Sequence, residues 1–151
     1  MKIIDYLSLL LIHEMDNLGH HSSESEVYLH GKGTGIIVPA QYLEAAILLN
    51  DGRYLLFTVD NIPYDEALDI LLIKIDEGIQ EQVTLSTTYG SGAFRHMALH
   101  DNSVEFSYFS DEIWRVEVSK KKFFKLPFEC GFLVTRHPMR LGYFIHISLF
   151  R

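Results

Sequence analysis

The chain has 151 residues, 48% of them hydrophobic and 13% aromatic, with four prolines and a formal net charge of −7. That length fits one domain spanning residues 1–151, large enough to bury roughly 70% of its unfolded surface without disulfides or metal. The composition excludes extended low-complexity disorder, and the acidic balance argues against nucleic acid as a partner.

The N-terminal run MKIIDYLSLLLIHEMD is interrupted by Asp5, closed by His13-Glu14 and followed by no small-residue cleavage site. It reads as neither a signal peptide nor a membrane span, which leads to the expectation of a cytoplasmic protein without membrane contact. Residues 3–12 fit both a helical stripe and a strand buried on both faces; the β-rich remainder favours the strand. Asn17 to Ser25 is a polar loop. Its adjacent His20 and His21 diverge on an extended chain and so make a poor metal chelate.

Val27-Tyr28-Leu29 opens a strand, and Gly31-Lys32-Gly33-Thr34-Gly35 follows before Ile36-Ile37-Val38-Pro39. The glycine spacing matches neither phosphate-binding pattern, and a bend or bulge between strands is the better account. Gln41 to Leu49 has good helix formers, but Asp51-Gly52 supplies the positive-φ turn of a hairpin, and the hairpin is preferred. The stretch DGRYLLFTVDNIPYDEALDILLIKID holds two dense apolar runs, Tyr54–Val59 and Ile70–Ile73, read as buried strands joined by an acidic connector, Asp60 to Glu66.

Further strands are expected at Ile79–Ser86, Phe94–Leu99 and Val104–Phe109. Another is expected at Ile113–Val118, where Arg115 and Glu117 alternate with apolar neighbours. Lys120-Lys121-Lys122 reads as a loop tip, without the interleaved stacking aromatics of a nucleic-acid site. His137 to Gly142 reads as a loop between the last two strands. Together these predict a mainly β fold, an antiparallel sandwich or curled sheet with at most one or two short helices.

No catalytic signature is present. Cys130 is the only cysteine, which fits a reducing compartment, and no cysteine-nucleophile motif surrounds it. His96 and His100 share a strand face but lie two pitches apart, too far for easy chelation of one ion. The expectation is a non-enzyme with no cofactor and no metal. The alternative is a β-sandwich or barrel hydrolase, or a small-ligand or metal-binding protein, using such histidines. Homo-oligomerisation through aromatic edge strands stays open.

Charge is unevenly spread. Residues 115–151 carry eight basic residues against two acids, +6, whereas the first 114 residues hold eighteen acids against five bases, −13. Residues 60–81 contain seven acids and one base, Lys74. Such a field attracts a basic partner, although acids scattered over several faces for solubility are equally common.

The order and texture of the segments resemble small bacterial immunity proteins of polymorphic and contact-dependent growth-inhibition toxin systems. The likeness covers residues 27–128. It lies in the glycine-bearing segment and Pro39 leading to YLEAAILLNDGRYLLFTVDNIPYDEALDILLI, then a Tyr-Gly loop, then VEFSYFSDEIWRVEV and LPF. The resemblance implies a protein that binds a cognate toxin domain, often a cationic nuclease, and covers its active site. The candidate contact surface is Asp60, Tyr64, Asp65, Glu66, Asp69, Asp111, Glu112 and Trp114, combining acids with aromatic anchors. For Tyr64 and Trp114 core packing is the competing reading, and an alternating strand more often buries such a tryptophan.

Overall fold

The structure is a computed structural model that describes residues 1–14, 23–60, 67–86, 92–109, 111–124, 134–137 and 142–150. Its chain order is β1 (Lys2–Ile3), β2 (Leu7–His13), β3 (Glu24–Leu29), β4 (Lys32–Val38), β5 (Tyr42–Leu48), β6 (Tyr54–Val59) and β7 (Ala67–Lys74). There follow β8 (Gly78–Ser86), β9 (Arg95–Leu99), β10 (Ser103–Ser107), β11 (Ile113–Phe124), β12 (Val134–His137) and β13 (Gly142–Phe150). No helix occurs among the described residues, and the sheets are antiparallel throughout, as a mainly β reading requires. No helix among them is long and apolar enough to cross a membrane.

The strands form three layers. A six-stranded sheet, β1-β5-β6-β7-β8-β12, lies between a four-stranded sheet, β13-β11-β10-β9, and a three-stranded sheet, β2-β3-β4. The middle position explains the two dense apolar runs. Leu55, Phe57, Leu68, Ile70 and Leu72 face the four-stranded sheet, and Leu56, Leu71 and Ile73 face the three-stranded sheet. Successive residues of a strand point to opposite faces, so a strand covered on both sides is apolar at every position.

The first core is aromatic. Phe57, Phe94 and Phe106 meet with ring centroids 5.1 to 5.3 Å apart, and Trp114 stands opposite Phe106 on β11. The second is aliphatic, with Val27, Ile36, Val38 and Ala40 packed against Ala46, Leu56, Leu71 and Ile73.

Residues 3–12 are strands, but split. Ile4 donates its N–H to Ala46 O at 3.0 Å, so β1 edges the middle sheet while β2 crosses to the outer one. β3 begins at Glu24, inside the expected polar loop, because Ser25 hydrogen-bonds Ala40 O at 2.6 Å and is thereby buried without cost to the core. His20 and His21 lie outside the described residues, as does Cys130.

The hairpin across Asn50–Gly52 is present, with Gly52 at φ 89° and Leu49 N–H bonded to Arg53 O at 2.8 Å. The glycine-rich segment is a bulge in β4. Glu26 accepts the N–H of Gly35 at 3.1 Å, and its carboxylate lies where a Cβ on Gly33 would stand. A neighbouring strand's carboxylate thus occupies the place a bound phosphate would need.

The lysine run differs from expectation. Lys120–Lys122 is no loop tip: β11 continues through it to Phe124. Val118 pairs with Ile145 and Phe123 with Tyr143, so Ser119–Lys122 bulge out opposite the single residue Phe144. β12 likewise runs through His137, where a loop was expected to begin, and residues 138–141 lie outside the described set.

Candidate functional site

The direction of two strands sorts the charged residues. The β5–β6 turn (Asn50, Asp51) and the β9–β10 turn (Asp101, Asn102) line one small cavity of about 70 Å³, so both turns sit at the same end. β6 and β10 start there, and Phe57 meets Phe106 partway along them. Both strands therefore deliver their following residues, Asp60 and Asp111-Glu112, to the opposite end. Asp69, paired with Thr58 on β7, lies toward that end too.

Four of the eight expected contact residues are placed at this acidic end. Asp111 is exposed and Glu112 half-buried, and no ion pair joins either among the described residues. Asp60 accepts the N–H of Ser23 at 3.0 Å, tying the start of β3 to the end of β6. Asp69 accepts Thr84 Oγ1 at 2.6 Å and Gln82 Nε2 at 3.2 Å across β7–β8. Tyr64, Asp65 and Glu66 lie outside the described residues.

Trp114 is a correction. It is fully buried between the middle and four-stranded sheets, and no partner reaches it while the layers are packed. Its indole Nε1 has no hydrogen-bond partner among the described residues. The alternation that buries Val116 and exposes Glu117 buries Trp114 as well, so the core reading of that strand applies to it.

Among the described residues, Arg136 and Arg115 of the basic C-terminal part engage partners away from the acidic end. Arg136 is buried, 3.5 Å from the buried Glu81, with its guanidinium 4.4 Å over the Tyr143 ring. Glu81 also accepts the N–H groups of Phe144 and Ile145, each at 2.7 Å, and so joins β8 to β13. Arg115 pairs with Glu105 at 2.7 Å and stacks over Phe150. The Arg115 guanidinium, with His100 at 3.1 Å, holds the Glu105 carboxyl below the ordinary carboxylate range. Lys120 lines the small cavity at the other end, so the bulge stands there.

His96 and His100 do not converge. His96 is exposed on β9 with φ 57°, and His100 engages Glu105. Among the described residues no group of three or more His, Cys, Asp or Glu side chains is arranged to hold a metal ion.

Sequence reasoning missed a groove. The bulge borders an open groove of about 420 Å³ on the outer face of the four-stranded sheet, lined by Asn102, Glu117, Ser119, Lys120, Phe123 and His146. The bulge is pinned from beneath. The buried Arg53 donates to Ser119 O at 2.8 Å, packs over the Phe144 ring at 4.9 Å, and is itself held by Asp51 at 2.6 and 2.9 Å. That guanidinium lowers the Asp51 carboxyl below its ordinary value. Ser119 Oγ closes the bulge on Lys121 O and Phe144 O. The available signal was the polar sequence Ser-Lys-Lys-Lys between apolar strand residues, which serves a bulge as well as a turn. No family model, curated protein or solved structure matches this chain.

Proposed function

We propose that this protein is a non-enzymatic, cytoplasmic immunity protein that binds a cognate bacterial toxin domain and covers its active site. The observation that carries this reading is the acidic end. Asp60, Asp69, Asp111 and Glu112 lie toward one end of the stacked sheets, the first two on the three-stranded side and the last two on the four-stranded side, with an exposed base, Arg95, opposite Ser107. Arg115 and Arg136 pair with Glu105 and Glu81, and the lysine bulge lies at the far end. A basic toxin, as nucleic-acid-cleaving domains tend to be, is steered to such a surface, with association that slows as salt rises. The contact residues are Asp111 and Glu112 with the connector acids Asp65 and Glu66. Asp60 and Asp69 also hold strands together at this end.

The test is co-expression with the C-terminal domain of the protein encoded immediately upstream. Growth arrest relieved by this protein, with co-purification of the pair, is the expected result. Charge reversal of Asp65, Glu66, Asp111 and Glu112 to Lys then lowers the association rate by roughly tenfold or more at low salt. Unchanged kinetics in single and combined variants remove this end from the interface. Absence of both toxicity and co-purification overturns the immunity reading.

A further inference from the structure

The groove beside the lysine bulge stands apart from the acidic end and from the toxin-binding reading. Its volume of about 420 Å³ lies within the range of small-ligand sites, roughly 300–1,000 Å³. Its walls carry both signs of charge. Lys120 comes from the bulge, and Glu117 stands on the sheet as the direct cross-strand partner of His146. Phe123 meets the His146 ring edge-on at 5.8 Å and supplies apolar wall. Asn102 and Ser119 add neutral hydrogen-bonding groups.

The bulge that frames the groove is held by design features of the core. A buried arginine, itself clamped by a carboxylate, donates to its first carbonyl, and a serine hydroxyl bridges its far side. Bulges fixed in this way re-aim side chains and recur beside binding sites. Here Lys120, from the bulge, and Glu117, from the sheet, both line the groove.

We propose that this groove binds a small zwitterion with an apolar side group, an α-amino acid in chemical class. Lys120 takes the carboxylate, Glu117 takes the ammonium, and Phe123 receives the side chain. A simple anion is opposed by Glu117 and a simple cation by Lys120, whereas a zwitterion satisfies both. A metal ion is a poorer fit, since the groove offers one carboxylate and one imidazole.

The experiment titrates the full chain with L-phenylalanine and follows the His146 and Phe123 ring signals by NMR. Hydrocinnamate, which lacks the ammonium, and phenethylamine, which lacks the carboxylate, serve as comparison ligands. Saturable shifts at both rings are expected with L-phenylalanine, and each truncated ligand should bind at least about tenfold more weakly, as loss of a charged hydrogen bond implies. Glu117→Gln should abolish the preference over hydrocinnamate, and Lys120→Met the preference over phenethylamine. Both side chains are exposed, so the variants keep the fold, which an unchanged β-sheet circular dichroism spectrum checks. The proposal is overturned by the absence of saturable shifts, by equal affinity for the three ligands, or by binding that neither substitution alters.

Discussion

The two outer sheets cover the same middle sheet by different means. The four-stranded sheet packs through Phe106, Tyr108 and Trp114 and is bound across the interface by Glu81 to β13 and by Arg53 to β11. The three-stranded sheet packs through Val27, Ile36 and Val38, and its side-chain ties are neutral or single, such as Ser25 to Ala40 O and Asp60 to Ser23 N–H. Its outer face leaves Leu10, Ile12 and Ile37 more than two-fifths exposed. Large aromatics bury more area per position than valine and alanine, so the four-stranded layer is held by the greater free energy. The layers are therefore expected to open separately, the three-stranded one first.

The most direct way to break this contrast is to hollow out each interface in turn. Phe106→Ala removes a ring that touches Phe57 and Phe94 and should cost about 3–5 kcal/mol of global stability. Val27→Ala should cost roughly 2 kcal/mol, and its effect should concentrate in hydrogen exchange of β2, β3 and β4. Urea unfolding and residue-resolved exchange measure both. Equal loss of protection in all three sheets after Val27→Ala would show one cooperative unit and end the distinction.

The ionic seam gives the next effect. Glu81 and Arg136 are almost wholly inaccessible, and Glu81 also binds two backbone N–H groups of β13. Glu81→Met withdraws the acceptor from both amides and the carboxylate from a buried guanidinium, and should cost about 3 kcal/mol or more. Arg136→Met leaves the carboxylate its two amide donors and should cost less. The double variant should be more stable than the sum of the single losses implies, because neither charge then stands opposite an apolar partner. Strict additivity in denaturant midpoints would mean the two groups act separately.

How much of this was legible in the sequence follows from what each signal measures. Period-two alternation at Val104–Tyr108 and Ile113–Val118, and unbroken apolar runs at Tyr54–Val59 and Ile70–Ile73, reported strands and the depth of their burial. Alternation says nothing about which strands share a sheet, so the third layer was not visible. The split at Ile4 was hidden because Ile3, Ile4, Leu7 and Leu9 to Ile12 fit a single apolar element as well as two. Glu81 looked like one more surface acid, since its burial depends on β13, more than sixty residues later in the chain. The groove escaped for the same reason: Glu117, Lys120 and His146 meet only through the β11–β13 pairing and a bulge whose cause is Arg53.

The smallest effect sharpens the comparison on the ionic side. Asp51 clamps Arg53, which binds Ser119 O and so ties the middle sheet to the four-stranded one; the three-stranded sheet has no such ion pair among the described residues. The Asp51 carboxyl is lowered from its ordinary 3.8, chiefly by hydrogen bonding to Arg53. A carboxyl lowered on folding stabilises the protein above its unfolded value, and that stability disappears as pH falls through the folded value. Asp51→Asn should therefore lose a few tenths to about 1 kcal/mol at neutral pH, the range of a partly screened pair. The gap between wild type and variant should close below about pH 3.8. Glu105, also lowered, is present in both proteins and cancels from the difference. Urea midpoints across the acid range provide the measurement. A gap that persists unchanged to the acid limit would mean that Asp51 holds the hairpin by shape and hydrogen bonding, with its charge contributing nothing to the tie between the two sheets.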